Sequence, residues 1–263
     1  TEIYTLSLHD ALPIFLETSW AARPVVYEEE QASTNQTAKM LAEQGASHGT
    51  LVVAERQVSG RGRRGRPWHS PKGSGIWMSI LLRPQIHPMS ASMLTLVAAM
   101  AVYDAISSRV EGCAIKWPND IVINGRKVCG ILTEMSSELD NIHYVVIGIG
   151  INVNQEVFHC TAPNPVSLRQ ITGKQYDIFE ILKNIMLRIQ SDYELLRNGD
   201  TELIAHRYEK ALFRKEGMHR YKDADGEFFA RIICVEPEGK LILEDDAQKK
   251  RGYMFKEVEY LLI

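Results

Sequence analysis

Residues 54–68 read AERQVSGRGRRGRPW, and the interpretation of the surrounding chain depends on this stretch. An apolar segment, TLVVAE at residues 50–55, precedes it, and another, IWMSILL at residues 76–82, follows it. Both segments are short and apolar, which is typical of buried β-strands. Residues 58–75 are rich in Gly, Arg, Pro and Ser and are therefore predicted to form a loop. The sequence thus predicts two buried strands joined by a long cationic loop.

The loop combines glycines, arginines and one tryptophan, which are Gly60, Gly62, Gly65, Arg61, Arg63, Arg64, Arg66 and Trp68. The glycines let the backbone turn and approach a ligand closely. The arginines supply charge-assisted donors to phosphate or carboxylate, and the indole offers a flat face to a base. We therefore expect a loop that closes over an anionic nucleotide. A solvated basic loop that touches nucleic acid is the alternative for the same composition.

Two common phosphate-binding patterns do not describe this loop. The P-loop pattern GxxxxGK[ST] is absent from it. The spacing of Gly60, Gly62 and Gly65 matches the dinucleotide pattern GxGxxG, but its variable positions are all Arg. No helix with a downstream ribose-binding acid follows, so a dinucleotide site is not predicted.

The composition excludes several classes of protein. The chain has 263 residues, of which 24% are charged and 45% hydrophobic, and its formal net charge is −3. These values are ordinary for a globular protein of one large or two smaller domains. They argue against a disordered, a collagen-like or a globally basic protein. Positive charge is local, because five arginines fall within residues 56–66, where there is no acid.

The cysteines and the N-terminus bear on the compartment. No two of the cysteines form a close pair, so a zinc site or a redox motif has little support; they are Cys113, Cys129, Cys160 and Cys234. The most apolar run, residues 93–106, is too short and too interrupted to span a membrane. Residues 1–14 lack the features of a signal peptide, and we treat them as a leader of doubtful origin. We expect reduced thiols and a cytoplasmic protein.

The first 213 residues are predicted to mix strands and helices. Ser33 is an N-cap candidate for a helix at residues 37–44, and Gly45 is a candidate terminator. The turn signal Asn124-Gly125 predicts a hairpin over residues 121–134. Further strands are predicted at residues 25–27 and 144–151, and further helices at residues 92–108, 177–197 and 201–209.

The pattern of predicted secondary structure changes after about residue 214. Short alternating segments separated by turn residues predict strands at residues 228–235, 240–244, 253–255 and 257–263. These strands suggest a small β-barrel or sandwich appended to an α/β body.

Two further strings place polar groups at the ends of apolar strands. In KWPND, residues 116–120, these groups are Lys116, Asn119 and Asp120. Asp120 has the chemistry to bind Mg²⁺ or to hold a lysine or arginine, and a simple Pro-Asn-Asp turn is the alternative. Lys127 follows the hairpin turn, where it can reach a carboxylate or phosphate in a cavity. An exposed hairpin lysine is the alternative.

Together these strings resemble the biotin protein ligases, or biotin–[acetyl-CoA-carboxylase] ligases. Six motifs follow the order of that family, and the resemblance extends from about residue 18 to the end of the chain. They are STN at 33–35, AERQxxGRGRRGRxW at 54–68, KWPND at 116–120, RKVCGIL at 126–132, GIGINVN at 148–154 and FKEVE at 255–259. Each motif alone is a weak signal, whereas all six in order are specific.

The resemblance implies a fold of α/β (α+β) type. Residues 15–213 would form a catalytic domain similar to class II aminoacyl-tRNA synthetases, with a mixed sheet and flanking helices. Residues 214–263 would form an SH3-like β-barrel. The implied activity is ATP-dependent biotinylation of a lysine on a biotin carboxyl carrier protein or domain through biotinyl-5′-AMP, with ATP and Mg²⁺ as cofactors. Both substrates of the first step are anions, which fits the cationic loop.

The resemblance also implies roles for individual residues. Biotin binding is implied for Ser33, Thr34, Asn35, Gln57, Arg61, Gly62, Arg63 and Lys127. Nucleotide binding is implied for Arg61, Arg63, Arg66, Trp68, Lys116, Asn119 and Asn152. Catalytic roles are implied for Lys127, Arg63 and Asp120, with Lys127 stabilising charge and Asp120 orienting the attacking lysine. The phosphates of ATP would hold most of the Mg²⁺ coordination, so no protein metal ligand is assigned.

The chain departs from the family pattern at two positions. Ala32 stands where the family often has Asp, and Cys129 stands where Ala is frequent. Some family members carry an N-terminal helix-turn-helix, and the residues before STN are too few for that module, so we expect no DNA-binding module in this chain. No membrane partner is expected, and the oligomeric state stays open, with a homodimer as one option.

Two other functions remain to be distinguished. A related ligase that uses lipoate or octanoate would have a similar fold, but lipoate has no ureido head and does not require STN and Gln57. A nucleic-acid binder that uses the Arg-rich loop would show DNA affinity that falls steeply with salt. The net charge of −3 disfavours that second function.

Overall fold

The computed structural model describes residues 17–62, 65–139, 141–158 and 164–261, and Arg63, Arg64, Cys160 and the leader at 1–14 lie outside them. The strands in chain order are β1 (Val25–Gln31), β2 (Leu51–Gln57), β3 (Gly75–Leu82), β4 (Cys113–Lys116), β5 (Asp120–Ile123), β6 (Arg126–Glu138), β7 (Asn141–Asn152), β8 (His219–Asp223), β9 (Gly226–Val235), β10 (Leu241–Asp245), β11 (Lys250–Tyr253) and β12 (Glu259–Tyr260). The α-helices are α1 (Thr34–Glu43), α2 (Ser92–Ser107), α3 (Leu168–Thr172), α4 (Ile178–Asn198) and α5 (Thr201–Lys210), and a 3₁₀ turn covers Pro88–Ala91.

Two sheets organise these elements. The larger has seven strands in the order β1-β2-β3-β7-β6-β5-β4. β1 and β2 are parallel, and the other neighbours are antiparallel, so this sheet is mixed. The smaller sheet is antiparallel, with the order β11-β10-β9-β8-β12. The predicted α/β body with a mixed sheet and a C-terminal β region is therefore confirmed.

Local chemistry explains the elements nearest the site. β5 and β6 are joined by Asn124 and Gly125, which both have positive φ angles, 50° and 76°. That is the backbone of the predicted type I′ turn, whose twist matches the flanking strands. The positive φ of Gly45, 88°, follows the end of α1, as its sequence position predicted.

The two faces of the large sheet are covered differently. On one face, the alternate apolar side chains of β3 and β7 pack with those of α2, α4 and α5 in the main core. On the other face, α1 packs in a small cluster that includes Val52, Leu81 and Val146. Further along that second face, β3 carries Ser79 and β7 carries Gly148, so no large apolar side chain occupies these positions. This part of the face lies beside the loop between β2 and β3.

Some elements differ from those predicted. β8 and α3 were missed, because β8 reads HRYKD with Tyr221 as its fully buried residue, and α3 spans only five residues. β11 lies at Lys250–Tyr253 rather than at 253–255, and β12 at Glu259–Tyr260 rather than at 257–263, so these boundaries were wrong. Among the described residues, no helix is both long and apolar enough to cross a membrane.

A buried ion network should stabilise the helical layer behind the sheet. Arg207 of α5 donates to Asp192 of α4 and to Asp104 of α2, at 2.6 Å each. Because the Asp192 side chain is only 3% exposed, Arg207→Met would leave a buried carboxylate without its cation. We expect a loss of about 3 kcal/mol in the free energy of unfolding, measured by urea titration.

The control for this prediction is a second arginine, Arg188, which lies near Asp104. Arg188 is exposed and approaches Asp104 only to 3.9 Å, so Arg188→Met should change the free energy of unfolding by less than about 1 kcal/mol. Equal losses in the two variants would contradict the role assigned to Arg207.

Candidate functional site

The first part of the site is the N-terminus of helix α1, where a side chain from strand β2 accepts a backbone hydrogen bond. Ser33 occupies the N-cap position with extended backbone angles, but its side chain makes no capping hydrogen bond. Instead, the Thr34 N–H donates to the Gln57 Oε1 of β2, at 2.8 Å. Gln57 therefore satisfies one of the unpaired N–H groups of the first helical turn. The Ser33 hydroxyl makes no capping hydrogen bond and is available to a ligand.

A buried polar network continues from this cap. The Ser79 Oγ lies 2.8 Å from the Thr34 Oγ1 and 2.6 Å from the Asn35 Oδ1. In the other direction, the Gln57 Nε2 donates to the Ser70 Oγ at 3.0 Å, at the end of the Arg-rich loop. The network thus joins α1, β3, β2 and the loop, and the predicted residues Thr34, Asn35 and Gln57 belong to it.

A cleft of about 630 Å³ opens above this network. Four residues that the resemblance assigned to biotin line it: Ser33, Asn35, Arg61 and Gly62. The other lining residues are Gln36, Lys39, Met40, Glu43, Gly65, Leu132 and Glu134. Thr34, Gln57 and Lys127 are not among the residues that line it.

The second part of the site is a floor of glycines under Trp68. Gly130 of β6 pairs directly with Gly150 of β7. A Cβ atom on Gly150 would lie 2.5 Å from the Trp68 Nε1, and one on Gly130 would lie 3.0 Å from the Trp68 Cζ3. The indole therefore occupies space that exists because these positions carry no side chain. Gly148, two residues away, makes the same kind of room for the Asn35 amide.

A cation and its carboxylate stand beside the indole. The Lys127 Nζ lies 2.7 Å from the Asp120 Oδ1 and 5.3 Å from the centre of the Trp68 ring. Both side chains are part-exposed, at 31% and 26%. A lysine held this way is a charged donor that a ligand carboxylate or phosphate can engage when it displaces Asp120.

Lys116 adds positive charge to the same region. Its Nζ lies 5.3 Å from the centre of the Tyr260 ring, on the C-terminal sheet. Burial lowers the pKa of Lys116. The positive charges of Lys127 and Arg214 lower this pKa further, whereas the negative charge of Asp120 raises it. Lys116 is thus a partly desolvated cation whose neighbours include two further cations, an arrangement that attracts an anionic group.

The remaining predicted residues fall into three groups. The Asn119 and Asn152 amides are buried and donate to backbone carbonyls of Ile131 and Val166, which ties them to structural contacts. Arg66 is exposed in the loop. Arg63, assigned to both substrates and to catalysis, lies outside the described residues.

Several polar residues of the site were missed by sequence reasoning. Ser79, Ser70, Lys39 and Glu134 all contact predicted residues or each other. One signal was available for Ser79, which is the polar residue within the apolar string IWMSILL. Glu134 lies two residues beyond RKVCGIL, where the alternation of β6 turns it towards the cleft, but nothing in its sequence position announces a partner.

Comparisons with known proteins identify this arrangement. A family model described as the biotin/lipoate A/B protein ligase family matches residues 27–152. The bifunctional ligase/repressor BirA of Bacillus subtilis is 39% identical over 249 residues, which cover 90% of this chain and 74% of that protein. The biotin–[acetyl-CoA-carboxylase] ligase of Mycobacterium tuberculosis is 31% identical and covers 76% of this chain and 74% of its own length.

A solved structure agrees with these relatives. The biotin protein ligase from Aquifex aeolicus, in complex with biotin and ATP, superposes with a TM-score of 0.75 at 27% identity. The match covers 90% of this chain and 99% of that one. The fold is thus of the biotin/lipoate ligase class. Within that class, the chain belongs to the biotin protein ligase family.

The glycine floor yields a steric prediction. Gly150→Ala would place a methyl group 2.5 Å from the Trp68 Nε1, so the indole must move, whereas the strand itself has no positive φ at this residue. We expect a red-shifted Trp68 emission, about a tenfold loss of ATP-dependent activity and a melting temperature within about 4 °C of wild type.

The Trp68 contribution can be isolated by difference. Emission of Gly150→Ala is compared with that of Gly150→Ala/Trp68→Phe, and the same subtraction is made without the glycine change. An unchanged difference spectrum would show that the indole does not depend on the space above Gly150.

Proposed function

We propose that this chain joins biotin to a lysine of a biotin carboxyl carrier protein or domain, with ATP, through biotinyl-5′-AMP. One observation carries the proposal beyond family membership. A polar end formed by Ser33, Thr34 and Gln57 is linked by a run of contacts to a cationic end formed by Lys127, which lies outside the cleft. Gln57 contacts Ser70, Ser70 contacts the Trp68 carbonyl at 3.3 Å, and the Trp68 ring contacts Lys127.

The two ends match the two ends of biotin. The ureido head has two N–H donors and one carbonyl acceptor, and a pocket built from hydroxyl and amide groups rejects molecules that lack these atoms. The carboxylate end requires a cation, which Lys127 supplies. Lipoate and octanoate share the carboxylate but have no ureido head, so the hydroxyls of Ser33 and Thr34 favour biotin over either.

In the first step, a biotin carboxylate oxygen attacks the α-phosphorus of ATP. The bond from that phosphorus to the bridging oxygen breaks, and pyrophosphate leaves. Two anions must approach each other, so Lys127 and the arginines of the loop would neutralise the charge on the reacting oxygens. Trp68 offers its ring to adenine, and Arg61, Arg63, Arg66 and Lys116 would face the phosphates.

In the second step, the carrier lysine attacks the acyl carbon of biotinyl-AMP. The bond from that carbon to the phosphate oxygen breaks, AMP leaves, and the amine nitrogen loses a proton. Asp120 is suited to orient the incoming amine once Lys127 has exchanged its partner for the acyl-phosphate. Asn119 and Asn152 would act on the nucleotide side.

Magnesium ion would enter with ATP. Asp120 is the carboxylate that stands beside Lys127, and it is already paired with that lysine. A single paired carboxylate fits an ion whose coordination comes mainly from phosphate oxygens and water. The ion would neutralise the triphosphate, and the residues of the chain would hold the reacting oxygens in line.

The C-terminal sheet is assigned to a second domain in this proposal. We place its start at residue 214 and take its five strands as the SH3-like barrel implied by the resemblance. Its neighbour, residues 15–213, would be the catalytic domain. The carrier domain of a biotin-dependent carboxylase would be the protein partner.

The activity is tested by biotin-dependent release of pyrophosphate from ATP. We expect wild type to release pyrophosphate with biotin but not with octanoate, and Lys127→Ala to lower kcat/KM by at least about 100-fold, because it removes the cation at the reacting carboxylate. Mass spectrometry of an added carrier domain should then show a biotinyl adduct. Release without biotin, a lipoyl adduct or full activity in Lys127→Ala would contradict the proposal.

Lys116 links nucleotide binding to stability. Its pKa is lower in the folded chain than in the unfolded chain, so the charged lysine reduces the free energy of unfolding. This destabilisation is fully present at pH values below the folded-state pKa. It is lost as the pH rises from the folded-state to the unfolded-state pKa. At pH 7, Lys116→Met should therefore raise the melting temperature by about 2 °C while raising the KM for ATP about tenfold.

An exposed lysine provides the control for Lys116. Lys222 lies on β8 and is exposed, so Lys222→Met should change neither the melting temperature nor the KM for ATP. A lowered melting temperature in Lys116→Met would show that this cation stabilises the folded chain and that its assigned environment is wrong.

A further inference from the structure

The Asn35 amide has no N–H group left to donate to a ligand. Its Nδ2 donates to the Leu132 carbonyl at 3.3 Å and to the Glu134 Oε2 at 2.9 Å. Its Oδ1 accepts from Ser79 at 2.6 Å, in the space above Gly148. Both N–H groups and the carbonyl are thus engaged by the protein, so Asn35 acts on the pocket through its neighbours.

Glu134, with the shorter of the two contacts at the Asn35 Nδ2, and the Leu132 carbonyl together determine which way this amide points. The orientation of an amide follows from its partners, and an ionised carboxylate accepts hydrogen bonds but donates none. Burial would raise the pKa of Glu134, but its hydrogen bonds leave the pKa lowered. The Lys39 ammonium lies 2.9 Å from the Glu134 Oε1 and favours the carboxylate whichever way the Asn35 amide points. The Asn35 N–H groups must therefore face Glu134, and its carbonyl must face Ser79.

This orientation fixes the protons of the next two hydroxyls. Ser79 is fully buried and carries one hydroxyl proton, which the Asn35 carbonyl takes at 2.6 Å. The Thr34 Oγ1 lies 2.8 Å from the Ser79 Oγ and 3.1 Å from the Gln57 Oε1, so the Thr34 proton has two acceptors within reach. Once the Ser79 proton goes to Asn35, the shorter contact between the two hydroxyls needs the Thr34 proton. The hydrogen bonds therefore run in one direction, from Thr34 to Ser79 to Asn35.

We propose that Glu134 and Ser79 are positioning residues of the biotin pocket. Glu134 orients the Asn35 amide, Ser79 transmits that orientation to Thr34, and the pocket thereby presents one fixed set of donors and acceptors to the ureido head. This inference rests on the proposed function. Fixed polarity matters because the ureido group offers donors and an acceptor at defined places, and a mismatched contact leaves a buried polar group unpaired.

The sharpest test changes polarity without changing shape. Glu134→Gln is nearly isosteric but can donate, so only the longer 3.3 Å contact with the Leu132 carbonyl still opposes a reversed Asn35 amide, and the hydroxyl chain can reverse more readily. We expect the KM for biotin to rise about tenfold, with kcat, the KM for ATP and the melting temperature unchanged. The KM values come from biotin-dependent ATP–pyrophosphate exchange.

A matched control lies four residues along the same strand. Glu138 is exposed and lies 3.7 Å from His143, outside the network. Glu138→Gln should leave every kinetic constant at the wild-type value. A rise in biotin KM in this variant equal to that of Glu134→Gln would trace the effect to the loss of negative charge and overturn the inference.

A double-mutant cycle separates the proposed path from the ion pair with Lys39. Ser79→Ala removes the connection, so Glu134→Gln should have no further effect on biotin KM in the Ser79→Ala background. If Glu134 acted through its 2.9 Å contact with Lys39, the effect would persist there. Additive changes, an unchanged KM in Glu134→Gln, or equal changes in biotin and ATP constants would each overturn the inference.

Failure of the inference differs from failure of the proposed function. A wild-type chain without biotin-dependent exchange contradicts the proposed function and the inference with it. An active wild type whose Glu134→Gln and Ser79→Ala effects add contradicts the inference alone.

Discussion

The inner part of the site exists because three strand positions on one face of the large sheet carry no side chain. Gly130 and Gly150 make room for the Trp68 indole, and Gly148 makes room for the Asn35 amide. A strand that packs against a helix would normally fill such positions with apolar residues, as Leu81 and Val146 do beside α1. The glycines leave space that only the loop and the start of α1 fill, so polar groups and an aromatic ring reach the middle of the sheet.

The same space explains why α1 begins as it does. Its first residues lie against the sheet, where Gln57 of β2 accepts the hydrogen bond of the first helical N–H. The Ser33 side chain makes no capping hydrogen bond, and Ser33 lines the cleft. Hydrogen bonds with Ser79 and Gln57 offset the cost of burying the polar groups of Asn35 and Thr34. The local sequence STN thus reflects tertiary contacts more than helix capping.

Sequence reasoning succeeded where a local rule determines the outcome. The Asn124-Gly125 turn, the end of α1 before Gly45 and the strand at IWMSILL follow from φ preferences and apolar runs. The ordered motifs also located Ser33, Arg61 and Gly62, which line one cleft. Glu134 could not be found this way, because its role depends on Asn35, 99 residues away. Neither could the capping by Gln57, since the motif rules place the cap within the helix's own sequence.

The KWPND segment shows how far such tertiary dependence extends. Trp117 donates its Nε1–H to the Gly239 carbonyl at 3.1 Å, and Tyr208 of α5 reaches the Pro118 carbonyl at 3.4 Å. Lys116 lies over the ring of Tyr260. Three consecutive residues are therefore fixed by parts of the chain some 90 to 145 residues further on, of which Tyr260 lies in the smaller sheet and Gly239 in the turn between β9 and β10. Asp120 lies two residues after Pro118 and holds Lys127. The position of the reacting cation therefore depends on contacts between KWPND and the C-terminal part of the chain, although its own carboxylate partner belongs to the larger sheet.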